Sequence, residues 1–366
     1  MAVARQKTEE TTAVRRLRRL AFTLSQTTVS QRKRSVVCTH KNDNNCKILT
    51  AGTTSASTCL SDDDTGALMP LKFRPFNETT DRRQFLDLIG ERQHGLDPHD
   101  VAGGSALPKN SLEDVIIIED RRRQRLCATA TLHIEPKFIH NTACVGHVMD
   151  VVIMDMCREY GIAAPLLKRL KDIARQKKCY KLISDCKSEH VSFFRDLGFE
   201  VKEATMSIAP QNAPKPKLPS GCHWRFLQEQ DYDSNFLPLL AQLTAVGHVS
   251  QNQFKRQFGI IKRAKNKSVV VIERRVPGSR TIVATAALFI ESKVARRDTR
   301  CGHIEDVVVD AGARGLGLGL AVVYLLLQLA VQENCFEVVL DCSEKNVPFY
   351  ERCGFSRAGA CMRLDI

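Results

Sequence analysis

No apolar stretch in this chain approaches the roughly 18–20 residues that a membrane-spanning helix needs. The longest candidate, Leu318–Val331, is interrupted by Gln328. No apolar segment follows the basic N-terminus, so a secretory signal is not expected. Cysteine is plentiful, yet none of the fourteen residues stands in a Cys-x-x-Cys pair. The spacing of Cys335, Cys342, Cys353 and Cys361 matches no common zinc pattern. Reduced intracellular thiols are the expectation, with neither disulfides nor a metal. Aromatic residues are sparse, and the first 70 residues hold only Phe22. A basic arm without interleaved aromatics argues against single-stranded nucleic acid as the partner.

What is present is a globular composition with a lopsided charge. Hydrophobic residues are 43% and charged residues 26%, over 366 residues, which suits about two folded domains rather than disorder. The net charge is +13, but residues 1–50 hold eleven lysines and arginines against three acids, so most of the excess lies in one arm. Residues 1–70 read as a disordered basic arm. Arg15–Phe22 (RRLRRLAF) suits a short basic amphipathic turn of the transit-peptide kind, while Glu9 and Glu10 count against it. A cytoplasmic protein is expected, with import into an organelle as the alternative.

Pro210–Gly221 (PQNAPKPKLPSG) has the composition of a semi-stiff linker and divides the remainder into 71–209 and 222–366. These two segments, copy 1 and copy 2, repeat each other. Shifted by 156 positions, Ala128–Met206 lies over Ala284–Met362 without a gap. ATATLHIEPK (128–137) faces ATAALFIESK (284–293), and GHVMDVV (146–152) faces GHIEDVV (302–308). SDCKSEHVSFFRDLGF (184–199) faces LDCSEKNVPFYERCGF (340–355). The period is a whole domain, so the chain arose by duplication and is no solenoid. In copy 2, Ser268–Arg274 and Thr281–Glu291 read as paired strands around Pro277-Gly278. Gly302–Val309 reads as a strand, about Leu318–Glu333 as a helix, Phe336–Asp341 as a buried strand and Val347–Cys353 as a short helix. A last strand ends the chain. Strand, glycine-rich turn, helix, strand makes a βαβ unit with parallel strands.

The turn itself is Arg314-Gly-Leu-Gly-Leu-Gly319. Its glycines let successive backbone N–H groups converge and, with the free N–H groups of the first helical turn, form a cradle for a pyrophosphate. A Rossmann turn needs other glycine spacing, and Asp341 does not stand where its acidic residue belongs. The strand, the R-x-x-G-x-G turn and Asn346-Val-Pro-Phe-Tyr-Glu-Arg-Cys-Gly-Phe355 together resemble the GCN5-related N-acetyltransferase superfamily. Within it, GHIEDVVV (302–309), RGLGLG (314–319), LDCSEKNVPFYERCGF (340–355) and AGACM (358–362) are similar to the glucosamine 6-phosphate N-acetyltransferases. The resemblance covers nearly all of copy 2 and is weaker in copy 1.

The resemblance implies an α/β (mixed α+β) fold in which each copy has a mixed, mostly antiparallel sheet flanked by helices. It implies transfer of acetyl from acetyl-CoA to the 2-amino group of glucosamine 6-phosphate, and a homodimer with active sites near the interface. By the same resemblance, Arg314, Gly315, Leu316, Gly317, Leu318, Gly319 and Leu320 surround the CoA pyrophosphate, with Asp341 and Asn346 also at the CoA site. The backbone of Val307, Val308 and Val309 pairs with pantetheine and polarises the thioester carbonyl. Tyr350 serves the departing thiolate. Glu305, Asp306 and Asp341 orient the sugar or its amine, and Thr244 in LTAVG (243–247) is a substrate contact. Which group acts as base stays open. Each also has a structural reading: Tyr350 as packing, Asp341 as a cap of the following turn, Glu305 as a solvent-facing strand residue. Cys301 and His303 read as structural.

Copy 1 departs from this pattern. Gly315 becomes Glu159, Tyr350 becomes Phe194, Glu305 becomes Met149 and Asn346 becomes His190. Pro165 alters the helix start. Copy 1 is expected to have lost catalysis and to bind CoA poorly. Copy 2 in turn lacks the family's sugar-phosphate residues, with Lys293-Val-Ala-Arg296 and Phe336-Glu337 in their places and Asp365 replacing a basic residue. Copy 1 keeps Lys137-Phe-Ile-His140 and Tyr180-Lys181. The losses are complementary, so the expectation is an intramolecular pseudo-dimer with one composite site: copy 2 binds acetyl-CoA, and copy 1 lends Lys137, His140, Tyr180 and Lys181 for the phosphate. A different amine acceptor (protein lysine, polyamine) or a non-catalytic CoA-binding scaffold are the alternatives.

Overall fold

The computed structural model describes residues 71–90, 112–158, 160–293 and 299–366. The basic arm, Glu159 and most of Lys293-Val-Ala-Arg296 lie outside these residues. Copy 1 runs β1 (Leu71–Pro75), α1 (Glu78–Gly90), β2 (Glu113–Asp120), β3 (Arg125–Pro136), β4 (Cys144–Ile153), α2 (Asp155–Arg158), α3 (Ala163–Gln176), β5 (Cys179–Cys186), α4 (Val191–Asp196) and β6 (Glu200–Ile208). Copy 2 follows with β7 (Cys222–Phe226), α5 (Phe236–Leu240), α6 (Gln251–Ala264), β8 (Lys267–Val276), β9 (Ser279–Lys293), β10 (Thr299–Val309), α7 (Leu318–Gln332), β11 (Cys335–Cys342), α8 (Val347–Arg352) and β12 (Ser356–Asp365). The expected βαβ unit is present, since β10 and β11 are parallel, as are β4 and β5.

All twelve strands among the described residues form one sheet in the order β1-β2-β3-β4-β5-β12-β6-β11-β10-β9-β8-β7. The order shows that the C-terminal strands are exchanged. β6 closes copy 1 in sequence but pairs with β11 of copy 2, setting Met206 opposite Leu340. β12 pairs with β5 of copy 1, setting Met362 opposite Ser184. β6 and β12 then pair with each other across the pseudo-two-fold. The cores follow the exchange. Met206 is fully buried among copy 2 residues, and Met362 among copy 1 residues. Burying a methionine contributes about 1.5–3 kcal/mol, so each copy anchors a strand in the other's core.

Both faces of the sheet are covered, which is why β3 and β9 read as nearly continuous apolar runs rather than alternating ones. α7 and α8 cover one face of copy 2, and α5 and α6 the other. α3 and α4 cover one face of copy 1, and α1 the other. α3 is amphipathic and buries only Leu166, Leu167, Leu170 and Ala174. α7 (LGLAVVYLLLQLAVQ) is apolar nearly all round, the pattern of a helix covered on several sides. The proline-rich segment supplies the extra cover. Ala213 and Leu218 pack on the α7 core, Gln328 Nε2 donates to the Ala213 carbonyl (3.1 Å), and Gln211 Nε2 donates to that of Cys335 (2.9 Å). This segment is therefore a packed strap and not the extended spacer its composition suggests. Among the described residues no helix is long and apolar enough to cross a membrane, and the described cysteines are free and, Cys144 apart, buried.

The exchange has a tight point at Gly359 on β12. A Cβ there would stand 2.2 Å from the Cys186 carbonyl oxygen of β5. Gly359→Ala is expected to cost about 2 kcal/mol through forced backbone displacement. Because β12 belongs to copy 2 in sequence and to the copy 1 core in space, urea unfolding followed by Trp224 fluorescence and by far-ultraviolet dichroism should shift together. Two separated transitions would contradict the shared core.

Candidate active site

The site begins where β10 and β11 part. Their ladder ends at His303 opposite Val339, and beyond it β10 turns away. A bulge between Glu305 and Val308 in the β9 register causes the turn. Asp306 sits at its centre with φ +56°, and its counterpart Asp150 adopts +49° in copy 1. Aspartate tolerates this left-handed geometry better than most residues, and bulges re-aim side chains beside sites. The divergence leaves the Val307–Val309 backbone without a β11 partner. Val308 packs into the core beneath α5 and α6, while Val307 and Val309 border the α7 side.

The cleft runs on to the glycine-rich turn. Gly315 and Gly317 hold φ +80° and +77°, and a Cβ at either would meet nothing within 4 Å. They are glycine for conformation and leave the concavity open. Gly319 is glycine for space, since its Cβ would press on the Phe349 ring at 3.1 Å. Gly317 caps α7, so the first N–H groups of the helix, around Leu318, Gly319 and Leu320, open on the cleft without intrahelical acceptors. Leu318 itself is buried, Leu316 is exposed, and the Arg314 guanidinium lies over the Val309 carbonyl (Nε to O 3.4 Å). Asn346 is exposed at the start of α8.

Tyr350, on α8, is buried against Phe349 and Phe355. Its hydroxyl donates no hydrogen bond within the described residues. Burial, then the nearby Cys342 and Cys353 thiols and the Glu305 carboxylate, push its pKa well up, so it stays a proton donor throughout the neutral range. The solvent-facing reading of Glu305 does not hold. Glu305 lies at the centre of a charge network that crosses between the copies. Lys137 of copy 1 is buried, its Nζ 2.7 Å from Glu135, 3.0 Å from Glu305 and 3.2 Å from Asp306. Lys267 of copy 2 reaches back to Glu135 at 2.6 Å, and His147 Nε2 lies 2.9 Å from the other Glu135 oxygen. Burial alone would raise the Glu305 pKa, but Lys137 overrides it and holds it below the usual range. Burial likewise works to lower that of Lys137, yet Asp306, Glu135 and Glu305 hold it well above normal.

Lys137 is thus not the phosphate ligand expected from sequence. Its three N–H donors are taken up by three carboxylates and it is 3% exposed, so no substrate oxygen reaches it. The other copy 1 residues do gather at the site. The His140 and Tyr180 rings pack with centroids 4.3 Å apart at a tilt of 37°, and Lys181 Nζ lies 5.6 Å from the Tyr180 ring centre. Backbone N–H groups of His140 and Asn141 donate to the Ala245 and Val246 carbonyls, which stitches this corner to the loop carrying Thr244. Arg363 of the exchanged strand joins them and was missed in the sequence, where attention fell on Asp365. Arg363 Nε donates to Asp365 at 2.7 Å, and Asp365 stands opposite Lys181 in the ladder. Burial, then the Lys181 and Arg363 charges, lower the His140 pKa, which marks the corner as electropositive. Asp341, half-buried at the end of β11, accepts from Thr205 Oγ1 of copy 1 at 2.7 Å rather than capping its own turn.

A splayed parallel pair and a bulged strand thus occur twice in one sheet, and in copy 2 a glycine caps the helix that follows. Residues 92–199 and 235–355 both match the acetyltransferase (GNAT) family. This chain belongs to that family. Over 142 residues it is 38% identical to the probable glucosamine 6-phosphate N-acetyltransferase 2 of Oryza sativa subsp. japonica, covering 38% of this chain and 85% of that protein. Over 133 residues it is 42% identical to the glucosamine 6-phosphate N-acetyltransferase of Arabidopsis thaliana, covering 36% and 88%. A solved tandem GNAT protein from the clavulanic acid biosynthesis pathway aligns over 81% of this chain and 98% of its own, with a TM-score of 0.50 and 14% identity. That likeness concerns the fold alone.

The GNAT cleft of copy 1 is open but differently equipped. A cavity of about 710 Å³ is lined by Met149, Asp150, Arg158, Lys187, His190 and Phe194 among others. Only Gly161 keeps a left-handed glycine in the turn, Arg158 is tied to Asp155 at 2.8 Å, and the buried Phe194 has no hydroxyl to offer. Met149 also removes the carboxylate that anchors the network in copy 2. His303 and Cys301 are buried beside Glu291, whose Oε2 lies 2.9 Å from His303 Nε2.

Lys137→Met should destabilise the chain by about 3 kcal/mol at pH 7, because three buried carboxylates lose their cation. The depressed pKa of Glu305 means its pairing contributes above the unfolded carboxylate pKa and is lost as pH falls through the folded one. In the variant the orphaned acids titrate above the ordinary range, so the deficit should shrink between pH 7 and pH 5. Urea unfolding at both values checks this, and an equal deficit at both would contradict it.

Proposed function

We propose that copy 2 transfers the acetyl group of acetyl-CoA to the 2-amino group of glucosamine 6-phosphate, with copy 1 completing the acceptor site. One observation carries the reading. The Val307–Val309 backbone, bonded to β9 but free on its β11 side, runs from Glu305 toward the glycine-capped α7 terminus, and the Tyr350 hydroxyl lies near enough to Glu305 to feel its charge. The cap N–H groups suit a pyrophosphate, the bare strand suits an amide-bearing arm, and the hydroxyl stands where the arm's sulfur would end. The relatives' names supply the acceptor. Lys181, His140 and Arg363 supply a basic corner fit for its phosphate, and Thr244 lies on the loop bonded to that corner.

In this reading the amine attacks the thioester carbonyl directly in a ternary complex. Backbone N–H groups of the bulged strand stabilise the oxyanion as it develops. Glu305, kept ionised beside Lys137, and Asp306 hold the sugar's amine and hydroxyls. Tyr350 gives its proton to the thiolate as the C–S bond breaks. Its raised pKa keeps that proton in place, so Tyr350 imposes no alkaline loss of activity below about pH 10. A protein lysine or polyamine acceptor would leave the basic corner without an anion. Copy 1, lacking cradle and hydroxyl, serves the reaction through the acceptor corner and the strand it exchanges.

Thiol release from acetyl-CoA should be rapid with glucosamine 6-phosphate and weak with glucosamine. Tyr350→Phe should lower kcat on the order of 10²-fold with little change in either KM. Lys181→Ala should raise the KM for the sugar phosphate roughly tenfold and leave that for acetyl-CoA alone. Equal rates with both sugars, or a Lys181→Ala enzyme with unchanged KM, would reject the composite acceptor site.

A further inference from the structure

The strand exchange puts four residues side by side at the pseudo-two-fold. Asp341 and Asp185 are equivalent in the repeat, and so are Cys361 and Thr205. Asp341 faces Thr205 across β11 and β6, and Cys361 faces Asp185 across β12 and β5. Thr205 Oγ1 donates to Asp341 Oδ1 at 2.7 Å and lies 3.5 Å from Asp185 Oδ1. Oxygens of the two carboxyls and the Cys361 sulfur lie within 4.8 Å of one another. Asp341 lies on β11 just beyond the point where β10 and β11 part, and Asp185 lines the copy 1 cavity. The link between the clefts therefore runs through two acids.

We infer that Asp185 and Thr205, both contributed by copy 1, make Asp341 the base that takes the proton from the acceptor amine in copy 2. The inference rests on the acetyl-transfer reading above and names the base that reading leaves open. Two carboxylates are candidates, and their surroundings push them apart. Glu305 is tied to Lys137, which makes it a weak base. Among the described residues Asp341 forms no ion pair with a cation. Burial first, then the charge of Asp185, hold its proton affinity well above that of an ordinary carboxyl, with Glu305 adding to the effect. Hydrogen bonds from Cys361 and Thr205 oppose this without cancelling it. Such a group accepts a proton near neutral pH, where a free aspartate does not.

The proton balance closes. The ammonium N–H bond breaks and its proton passes to the Asp341 carboxylate, freeing the nitrogen pair. That pair forms the C–N bond to the acetyl carbonyl. As the carbonyl reforms, the C–S bond breaks, and the sulfur takes the Tyr350 proton. The second proton of the nitrogen replaces it on Tyr350. Asp341 returns its proton to solvent. Asp185 and Thr205 touch no reacting atom in this scheme and are positioning residues.

Their substitutions should move the rate–pH profile in opposite directions. Asp185→Asn removes a neighbouring negative charge, so the ascending limb of kcat/KM should move to lower pH by about one unit. Thr205→Val removes a donor to the ionised form, so the limb should move to higher pH. Neither should alter acetyl-CoA affinity, and matched thermal midpoints confirm folding. Asp341→Asn should abolish the limb and lower kcat at least 10²-fold. Carbon-13 spectra of the full chain with labelled aspartate carboxyls give a readout without turnover. One carboxyl should titrate well above the rest, vanish in Asp341→Asn and move down in Asp185→Asn. Wild-type activity with unmoved profiles in both copy 1 variants would overturn the inference and leave the function standing. No acetyl transfer by the wild type to any amine would overturn both.

Discussion

The exchange of β6 and β12 is the constraint from which the remaining features follow. Each strand is covalently part of one copy and hydrogen-bonded into the sheet of the other, so neither copy has a complete core alone. A duplicated domain is free to drift apart or to lose its spare half. Here Met206 and Met362 forbid both, because deleting either strand opens the other copy. The exchange also decides which side chains meet. It brings Thr205 to Asp341 and Asp365 to Lys181, and neither contact exists within a single copy.

Duplication within one chain allows the two faces of the pseudo-two-fold to differ, and they do. The network Lys267–Glu135–Lys137–Glu305/Asp306 alternates in sign and crosses the boundary twice. Buried charges on this scale are tolerated only when each finds its opposite, and their geometric demands favour specificity over stability. The network related to it by the pseudo-two-fold lacks one carboxylate, because Met149 replaces Glu305 in copy 1. The glycine cradle, the tyrosine hydroxyl and the anchored carboxylates all fall on the same side. Copy 1 has become a partner that lends residues to copy 2 while keeping the strands and cores that hold copy 2 together.

Much of this is legible from the residues. Hydrophobic runs, the Pro277-Gly278 turn and the glycines at 315 and 317 announce strands, hairpin and cradle, because each depends on local geometry. The internal repeat makes the damage in copy 1 visible residue by residue. Partner choice is not legible. Nothing in GACMRLD says which sheet edge it will join, since either copy offers the same ladder. Lys137 misleads for a related reason. A lysine beside His140 reads as a phosphate ligand, but its burial arises from carboxylates of which two lie 168 and 169 residues further along the chain. Arg363 and Asp185 pass unnoticed because the residues they meet lie on a neighbouring strand, not in their own segment.

The central claim is that one of two similar clefts works and the other supports it. Calorimetric titration of the full chain with acetyl-CoA addresses this directly. The account predicts one tight site per chain, removed by Gly317→Val. Two equivalent tight sites, or one that survives Gly317→Val, would contradict it.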